Sequence, residues 1–157
     1  MRPSVRGLLL DRDERLLLFR RTVPGREVYW SVPGGHVEPG DATLEHTLRR
    51  ELLEELGATV SGVTPLTTVS YPWQGGVKVQ HVYGCRLVGM DWALRHGPEV
   101  DDAARGRYEL ERVPLRRSEI TSRHVVPEAV AGYLSEHIAA LPRLIPRDGP
   151  RSPTGGR

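Results

Sequence analysis

Two neighbouring stretches decide how this chain folds: Pro33-Gly34-Gly35-His36-Val37-Glu38-Pro39-Gly40-Asp41 and Arg50-Glu51-Leu52-Leu53-Glu54-Glu55-Leu56-Gly57-Ala58. Glycine and proline in the first stretch predict a loop. The second stretch is typical of a helix that Gly57 ends as its C-terminal cap. At about 100° per residue, one broad arc of this helix is apolar, and we predict that it faces the core. Its residues are Leu48, Leu52, Leu53 and Leu56.

The neighbouring arc carries three carboxylates, Glu51, Glu54 and Glu55, because side chains three and four residues apart are neighbours on a helix. The last turns of a helix carry partial negative charge, so the glutamates repel each other and the helix end, and Arg50 offsets only part of this. A hard divalent cation such as Mg²⁺ would resolve the conflict, since it takes oxygen ligands. The alternative is a solvated acidic face. Three glutamates on a helix, taken without the neighbouring stretch, favour this alternative.

The Gly34-Gly35 turn allows backbone to approach the same place, where it offers a carbonyl ligand or amides for a phosphate. Together the two stretches resemble the signature of the Nudix hydrolase superfamily. That pattern is Gly, five residues, Glu, seven residues, Arg-Glu, an aliphatic residue, any residue, Glu-Glu, any residue, Gly and an aliphatic or similar residue. The matching residues are Gly35, Arg50, Glu51, Leu52, Glu54, Glu55 and Gly57, with Ala58 a softer match.

The sequence departs from this pattern at Asp41, where the family has glutamate. Eight residues rather than seven separate Asp41 from Arg50. We interpret this as one residue inserted in the loop near Gly40 to Thr43, with the metal-binding end in register from Arg50 onward. We therefore leave Asp41 out of the predicted site residues.

The resemblance implies an α/β fold, a Nudix-type α/β/α sandwich with a mixed central sheet, over residues 1–141. It implies hydrolysis of a nucleoside diphosphate linked to another moiety, with Mg²⁺, or Mn²⁺ as a substitute. Glu51, Glu54, Glu55 and the Gly34 carbonyl would hold the metal, and Arg50 would orient a glutamate. Glu38 is a candidate for the outer shell. The general base stays open among Glu54, Glu55 and a loop carboxylate, with Glu99 as first candidate and Asp101 as second.

Substrate identity lies outside the signature. A base would stack on an aromatic side chain, and Tyr29, Tyr71 and Trp73 are candidates, although each also reads as core. Arg20 ends a predicted strand and is a candidate for binding phosphate; a solvated strand-end arginine is the alternative. Net charge is only +2 and there is no basic tract, so we expect a small nucleotide rather than long RNA.

Length and composition indicate one domain of 157 residues. The single cysteine, Cys85, excludes an intramolecular disulfide and reads as a buried thiol. No stretch has the length of a membrane-spanning helix, and Asp11 interrupts the apolar start too soon for a signal peptide, so we expect a cytoplasmic protein with no membrane partner. The sequence leaves the oligomeric state undecided between a monomer and a homodimer.

Periodicity predicts strands at 4–10, 15–21, 28–32, 63–71, 77–88 and 108–113 and helices at 44–56 and 125–141. From Pro142 onward the chain has little to bury, and we expect residues 142–157 to be mostly disordered.

Three alternatives compete with a metal-dependent hydrolase. A non-catalytic Nudix-fold sensor would bind a nucleotide sugar and regulate a partner, but such proteins commonly lose signature glutamates. An isoprenoid isomerase of the same fold would need a cysteine at the reacting carbons, and Cys85 lacks that context. A protein with no metal would become more stable on removal of Glu54 and Glu55, with no activity to lose.

Overall fold

The computed structural model describes residues 2–95 and 105–147 of the chain. Its strands are β1 (Ser4–Leu10), β2 (Leu16–Thr22), β3 (Tyr29–Ser31), β4 (Gly34–His36), β5 (Ala58–Trp73), β6 (Gly76–Met90), β7 (Arg107–Val113) and β8 (Val125–Val126). Its helices are α1 (Leu44–Leu56), α2 (Arg117–Thr121), α3 (Glu128–His137) and α4 (Leu141–Leu144), with 3-10 turns at Trp92–Leu94 and Ile138–Ala140. No helix in these ranges is long and apolar enough to cross a membrane.

The strands of the described chain form one mixed sheet in the order β5-β6-β1-β2-β3-β8, with β4 paired to β1 and β7 to β2. Strand β1 runs parallel to β6 and antiparallel to β2 and β4. It is apolar on both sides: Leu8 and Leu10 face one core, and Val5 and Leu9 face the other. A sheet that buries both faces needs a layer on each side.

Helices supply both layers. Leu48, Leu52 and Leu56 of α1 are fully buried and pack in the same core as Val5 and Leu9. On the opposite face, Val130 and Leu134 of α3 pack in the core that contains Leu8 and Leu10. The predicted α/β/α sandwich with a mixed central sheet is confirmed.

Helix α1 has the predicted bounds because both ends carry local signals. The Thr43 hydroxyl accepts a hydrogen bond from the His46 amide at 3.0 Å, and Gly57 closes the helix at φ 65°. The prediction for Leu53 is wrong: this side chain is 39% exposed. Leu53 lies about 100° further around the helix than Leu52, which takes it past the buried arc.

The predicted helix over 125–141 is wrong at its start. Val125 and Val126 instead pair with Trp30 and Ser31 as β8, and α3 begins only after Pro127. Two β-branched residues extend the edge of β3, and the proline, which has no amide hydrogen, separates strand from helix.

The expectation of disorder from Pro142 onward is wrong for residues 142–147. Ile145 is fully buried and packs against Gly84, where an added Cβ would lie 2.5 Å from the isoleucine side chain. Arg86 donates to the Ile145 carbonyl oxygen at 3.1 Å, which fixes this segment to β6. Residues 148–157 lie outside the described ranges.

Candidate active site

Arg50 gathers the acidic groups of both quoted stretches around one guanidinium. Its Nε and Nη2 donate to the two carboxylate oxygens of Asp41, each at 2.9 Å. Its Nη1 donates to Glu51 Oε2 at 3.3 Å and to Glu54 Oε2 at 3.1 Å, and lies 3.5 Å from Glu38 Oε2. One cation therefore faces four carboxylates, which leaves this region strongly negative.

Asp41, which is not among the predicted site residues, makes the bidentate contact with Arg50. Its Oδ2 also accepts from the Glu38 amide and the Thr47 hydroxyl, each at 2.8 Å. The hydrogen bonds from Arg50 hold the pKa of Asp41 well below its usual range, and the same contact raises the pKa of Arg50. Five residues separate Asp41 from Gly35, as five separate the family glutamate from its glycine, and this spacing is the signal that identifies Asp41.

Two glycines place backbone directly against the acidic face of α1. The prediction of a turn at Gly34 and Gly35 is wrong, because both pair with β1 as part of β4. The Gly34 amide donates to Glu55 Oε1 at 2.9 Å. A Cβ at Gly35 would lie 2.3 Å from Glu51 Oε2, and a Cβ at Gly34 would lie 2.0 Å from the Val5 carbonyl oxygen. Backbone therefore requires glycine at position 34, whereas at position 35 glycine leaves room for the Glu51 carboxylate to pack on the backbone.

The donors brought together here fit a hard divalent cation, which takes carboxylate and carbonyl oxygens. They are the side chains of Glu51, Glu54 and Glu55 beside the backbone of Gly34. Across residues 2–95 and 105–147, no three His, Cys, Asp or Glu side chains converge into a ready metal site. The glutamate oxygens contact Arg50 and the Gly34 amide instead.

Two of the predicted substrate-binding aromatic residues lie side by side near the tip of the β5–β6 hairpin. The rings of Tyr71 and Trp73 meet edge to face with centroids 6.4 Å apart. The Tyr71 hydroxyl accepts from Gln80 Nε2 at 2.9 Å, while Trp73 is 49% exposed. An exposed aromatic pair of this kind offers a surface on which a planar base can stack.

The other two predicted substrate-binding residues, Arg20 and Tyr29, lie elsewhere. Arg20 forms an exposed ion pair with Glu109 at 3.3 Å, and the Arg26 guanidinium lies 4.6 Å from the Tyr29 ring centre. The β2–β3 register puts Arg20 opposite Trp30 and Tyr29 opposite Arg21, so Arg20 and Tyr29 point to opposite faces of the sheet. No described contact joins either of them to the Tyr71–Trp73 pair.

The loop carboxylates that are candidates for the general base, Glu99 and Asp101, lie outside the described residues. Cys85 is fully buried in the core beneath α1, and burial raises the pKa of its thiol to about 12. Such a thiol is inert, so the isoprenoid isomerase alternative loses its nucleophile.

Proteins that are similar to this chain include the following two relatives. "Putative nudix hydrolase 1" of Caenorhabditis elegans is 26% identical over 137 residues, 85% of this chain and 36% of that protein. "Putative mutator protein MutT4" of Mycobacterium tuberculosis (strain CDC 1551 / Oshkosh) is 31% identical over 171 aligned residues, 96% of this chain and 64% of that protein. The chain thus spans less than two thirds of either relative.

The fold has a solved counterpart in the Escherichia coli ORF135 protein, determined in solution. The two are 26% identical with a TM-score of 0.59, over 94% of this chain and 95% of that one. A family model described as the NUDIX domain matches residues 1–129. This match runs from β1 to the first residues of α3 and includes the acidic helix and the two glycines of β4, and the chain therefore belongs to the Nudix family.

Proposed function

We propose that the chain hydrolyses a nucleoside diphosphate linked to another moiety, with Mg²⁺ as its cofactor. The observation that carries the proposal is the acidic face of α1, where Glu51, Glu54 and Glu55 are all present beside Gly34 and Gly35 of β4. The names of the two relatives, a nudix hydrolase and a mutator protein, support a hydrolase. A small nucleotide is preferred to long RNA because net charge is only +2.

Glu51, Glu54 and Glu55 would hold the cation, with the Gly34 carbonyl as a further ligand. A divalent ion bound there supplies charge to polarise a phosphoryl group and to acidify water. Mn²⁺ would substitute for Mg²⁺ because it also accepts hard oxygen ligands.

Arg50 acts as a positioning residue in this proposal. Asp41 fixes the guanidinium through two hydrogen bonds, so that Nη1 holds Glu51 and Glu54 at set positions. Glu38 has a weaker contact with the same nitrogen and suits an outer position. The general base is Glu54, Glu55 or a loop carboxylate, of which Glu99 is the first candidate.

The test is release of phosphate or pyrophosphate from a panel of nucleoside diphosphate derivatives, with Mg²⁺ and with EDTA. We compare the native chain with the double variant Glu54→Gln, Glu55→Gln. Glu45→Gln is the matched control, because Glu45 lies on the same helix and its described ion pair is with the exposed Arg49. We expect metal-dependent turnover that falls at least 100-fold in the double variant and stays native in the control.

Equal turnover in the double variant and the native chain would overturn the assignment of the acidic face. Tight binding of one compound with no turnover would instead indicate a nucleotide-binding regulator. Faster cleavage of 5′-triphosphate RNA than of every small nucleotide would overturn the substrate preference.

A further inference from the structure

Lys78 is the only lysine of the chain, and it is buried, with 6% of its surface exposed. Its Nζ donates to the Arg2 carbonyl oxygen and lies 3.0 Å from Nδ1 of His36. Among the residues that the structure describes, no Asp or Glu forms an ion pair with it. A buried ammonium is rarely left without a negative partner, because its desolvation costs several kcal/mol.

Arg6 extends the same positive region along β1. Its Nε donates to Gln80 Oε1 at 3.1 Å, and its Nη1 donates to the Val32 carbonyl oxygen at 2.8 Å. No carboxylate in the described part of the chain is within ion-pair distance of Arg6, although Glu55 and Glu51 act on it from further away. Burial, and then repulsion from Arg6 and Arg2, lowers the pKa of Lys78.

Strand register places these cations between Gly34 of β4 and the Tyr71–Trp73 pair of β5. Arg6 of β1 pairs with Gly34 of β4, the glycine whose amide binds Glu55. Lys78 of β6 pairs with Tyr71 of β5, whose ring contacts Trp73 edge to face. The side chains of Arg6, Lys78 and Gln80 share the sheet face opposite α1, because residues of one strand alternate between faces.

We propose that Arg6, Lys78 and Gln80 form an anion-binding subsite that holds a phosphate group of the substrate. Such a phosphate would lie beside Gly34 and Gly35 of β4, with the rest of the nucleotide directed toward Tyr71 and Trp73. Nη2 of Arg6 and one N–H of Lys78 have no acceptor among the described residues, so both can donate to the anion. The inference rests on the proposed action on a nucleotide.

The first test measures binding of inorganic pyrophosphate by calorimetry in EDTA, where protein cations alone supply the attraction. We compare the native chain with Lys78→Met and Arg6→Gln. Arg117→Gln is the matched control, because Arg117 is exposed and has no described ion pair. We expect each site variant to raise Kd about 10-fold or more, the loss of one charge-assisted hydrogen bond, with no change in the control.

The second test is thermal unfolding of Lys78→Met with and without pyrophosphate. Without the anion we expect the variant to melt at or above the native temperature, because an uncompensated buried charge has been removed. With the anion we expect the native chain to gain stability and the variant to gain none. A lowered melting temperature with a native response to pyrophosphate would assign Lys78 a structural role and overturn the subsite.

The outcomes separate this inference from the proposed function. Turnover of a nucleotide with native pyrophosphate binding in both site variants would overturn the subsite alone. No turnover on any nucleotide, with pyrophosphate binding lost in both site variants, would overturn the hydrolase and retain the subsite. No binding of pyrophosphate to the native chain would overturn the subsite.

Discussion

At the scale of the residue, Gly34 and Gly35 differ in what an added methyl group would meet. At Gly35 it meets the carboxylate of Glu51, the end of a flexible side chain. We expect Gly35→Ala to keep the fold, with a loss of stability under about 1 kcal/mol, because the glutamate can swing away. The displaced Glu51 should weaken Mg²⁺-dependent turnover at least 10-fold, which a metal titration of the rate measures.

Gly34→Ala serves as the contrast to Gly35→Ala. Its methyl group meets the backbone of Val5, and the native φ of 147° is strained for any other residue. We expect this variant to unfold at a markedly lower temperature. Native turnover in Gly35→Ala would contradict a role for Glu51 in holding the metal.

Asp41 offers a second residue-scale prediction. Asp41→Asn removes the charge that Arg50 binds through two hydrogen bonds, and we expect a loss of about 1.5–3 kcal/mol at pH 7. Arg50 depresses the pKa of Asp41 in the folded state, so its stabilisation is complete above about pH 4, the unfolded value, and is lost as pH falls through the folded pKa. The two proteins should therefore converge in strong acid in urea unfolding.

The control for Asp41→Asn is Asp13→Asn, because Asp13 is exposed and contacts only the Arg15 side chain among the ion pairs described. We expect a change within about 0.5 kcal/mol. Equal effects of the two substitutions would show that the Asp41–Arg50 contact does not stabilise the loop.

The residues of the acidic helix face were predictable from sequence, because Glu51, Glu54 and Glu55 lie within two helical turns and local spacing fixes their common face. Asp41 was missed because one extra loop residue hid its relation to Arg50. The pairing of Arg6 with Gln80 was not predictable, since it joins residues 74 positions apart through strand register. For the positive region around Arg6 and Lys78, the only signal in the sequence was that Lys78 is a single lysine among 21 arginines.

At the scale of the element, the β5–β6 hairpin carries Tyr71, Trp73 and Lys78, and its turn consists of Gln74 and Gly75. Both have positive φ, 47° and 78°, as in a type I′ turn, where asparagine is favoured at the first position. We expect Gln74→Asn to stabilise the protein by on the order of 0.5 kcal/mol and Gly75→Ala to destabilise it by about 1 kcal/mol. Urea unfolding measures both, and the opposite order would contradict the turn assignment.

The elements that sequence predicted best are those whose ends are set locally. Helix α1 begins at the Thr43 cap and ends at Gly57, and both signals lie within a few residues of the helix. Val125 and Val126 were assigned to a helix because their apolar pattern continues into α3. Their strand conformation depends on β3, almost a hundred residues earlier in the chain, which no local pattern reveals.

At the scale of the whole molecule, the segment after α4 closes the sheet against β6. We expect Ile145→Ala to cost about 2–4 kcal/mol, because Ile145 is fully buried and packs on Gly84. Leu144→Ala is the matched control, since Leu144 is 40% exposed, and its cost should stay near 0.5 kcal/mol. Thermal and urea unfolding of both variants measure the difference, and equal costs would contradict a closing role for Ile145.

The packing of helices on a sheet was predictable from the sequence, whereas the order of the strands within that sheet was not. An acidic amphipathic helix among alternating strands indicates helices packed on a sheet. The position of β1 between β6 and β4, however, is set by contacts between distant segments. That position is what brings Arg6 opposite Gly34, whose amide donates to Glu55 of the acidic helix.

Lys78 also makes the proposed anion subsite chemically addressable. It is the only side-chain amine of the chain, so an amine-acylating reagent has one side-chain target. Its lowered pKa increases the neutral, nucleophilic fraction of that amine at a given pH. Acylation at this position would add a single mass to the protein, and protection by an anionic ligand would show as slower labelling. The unmodified chain thus contains its own occupancy probe, with no cysteine introduced and no tag attached.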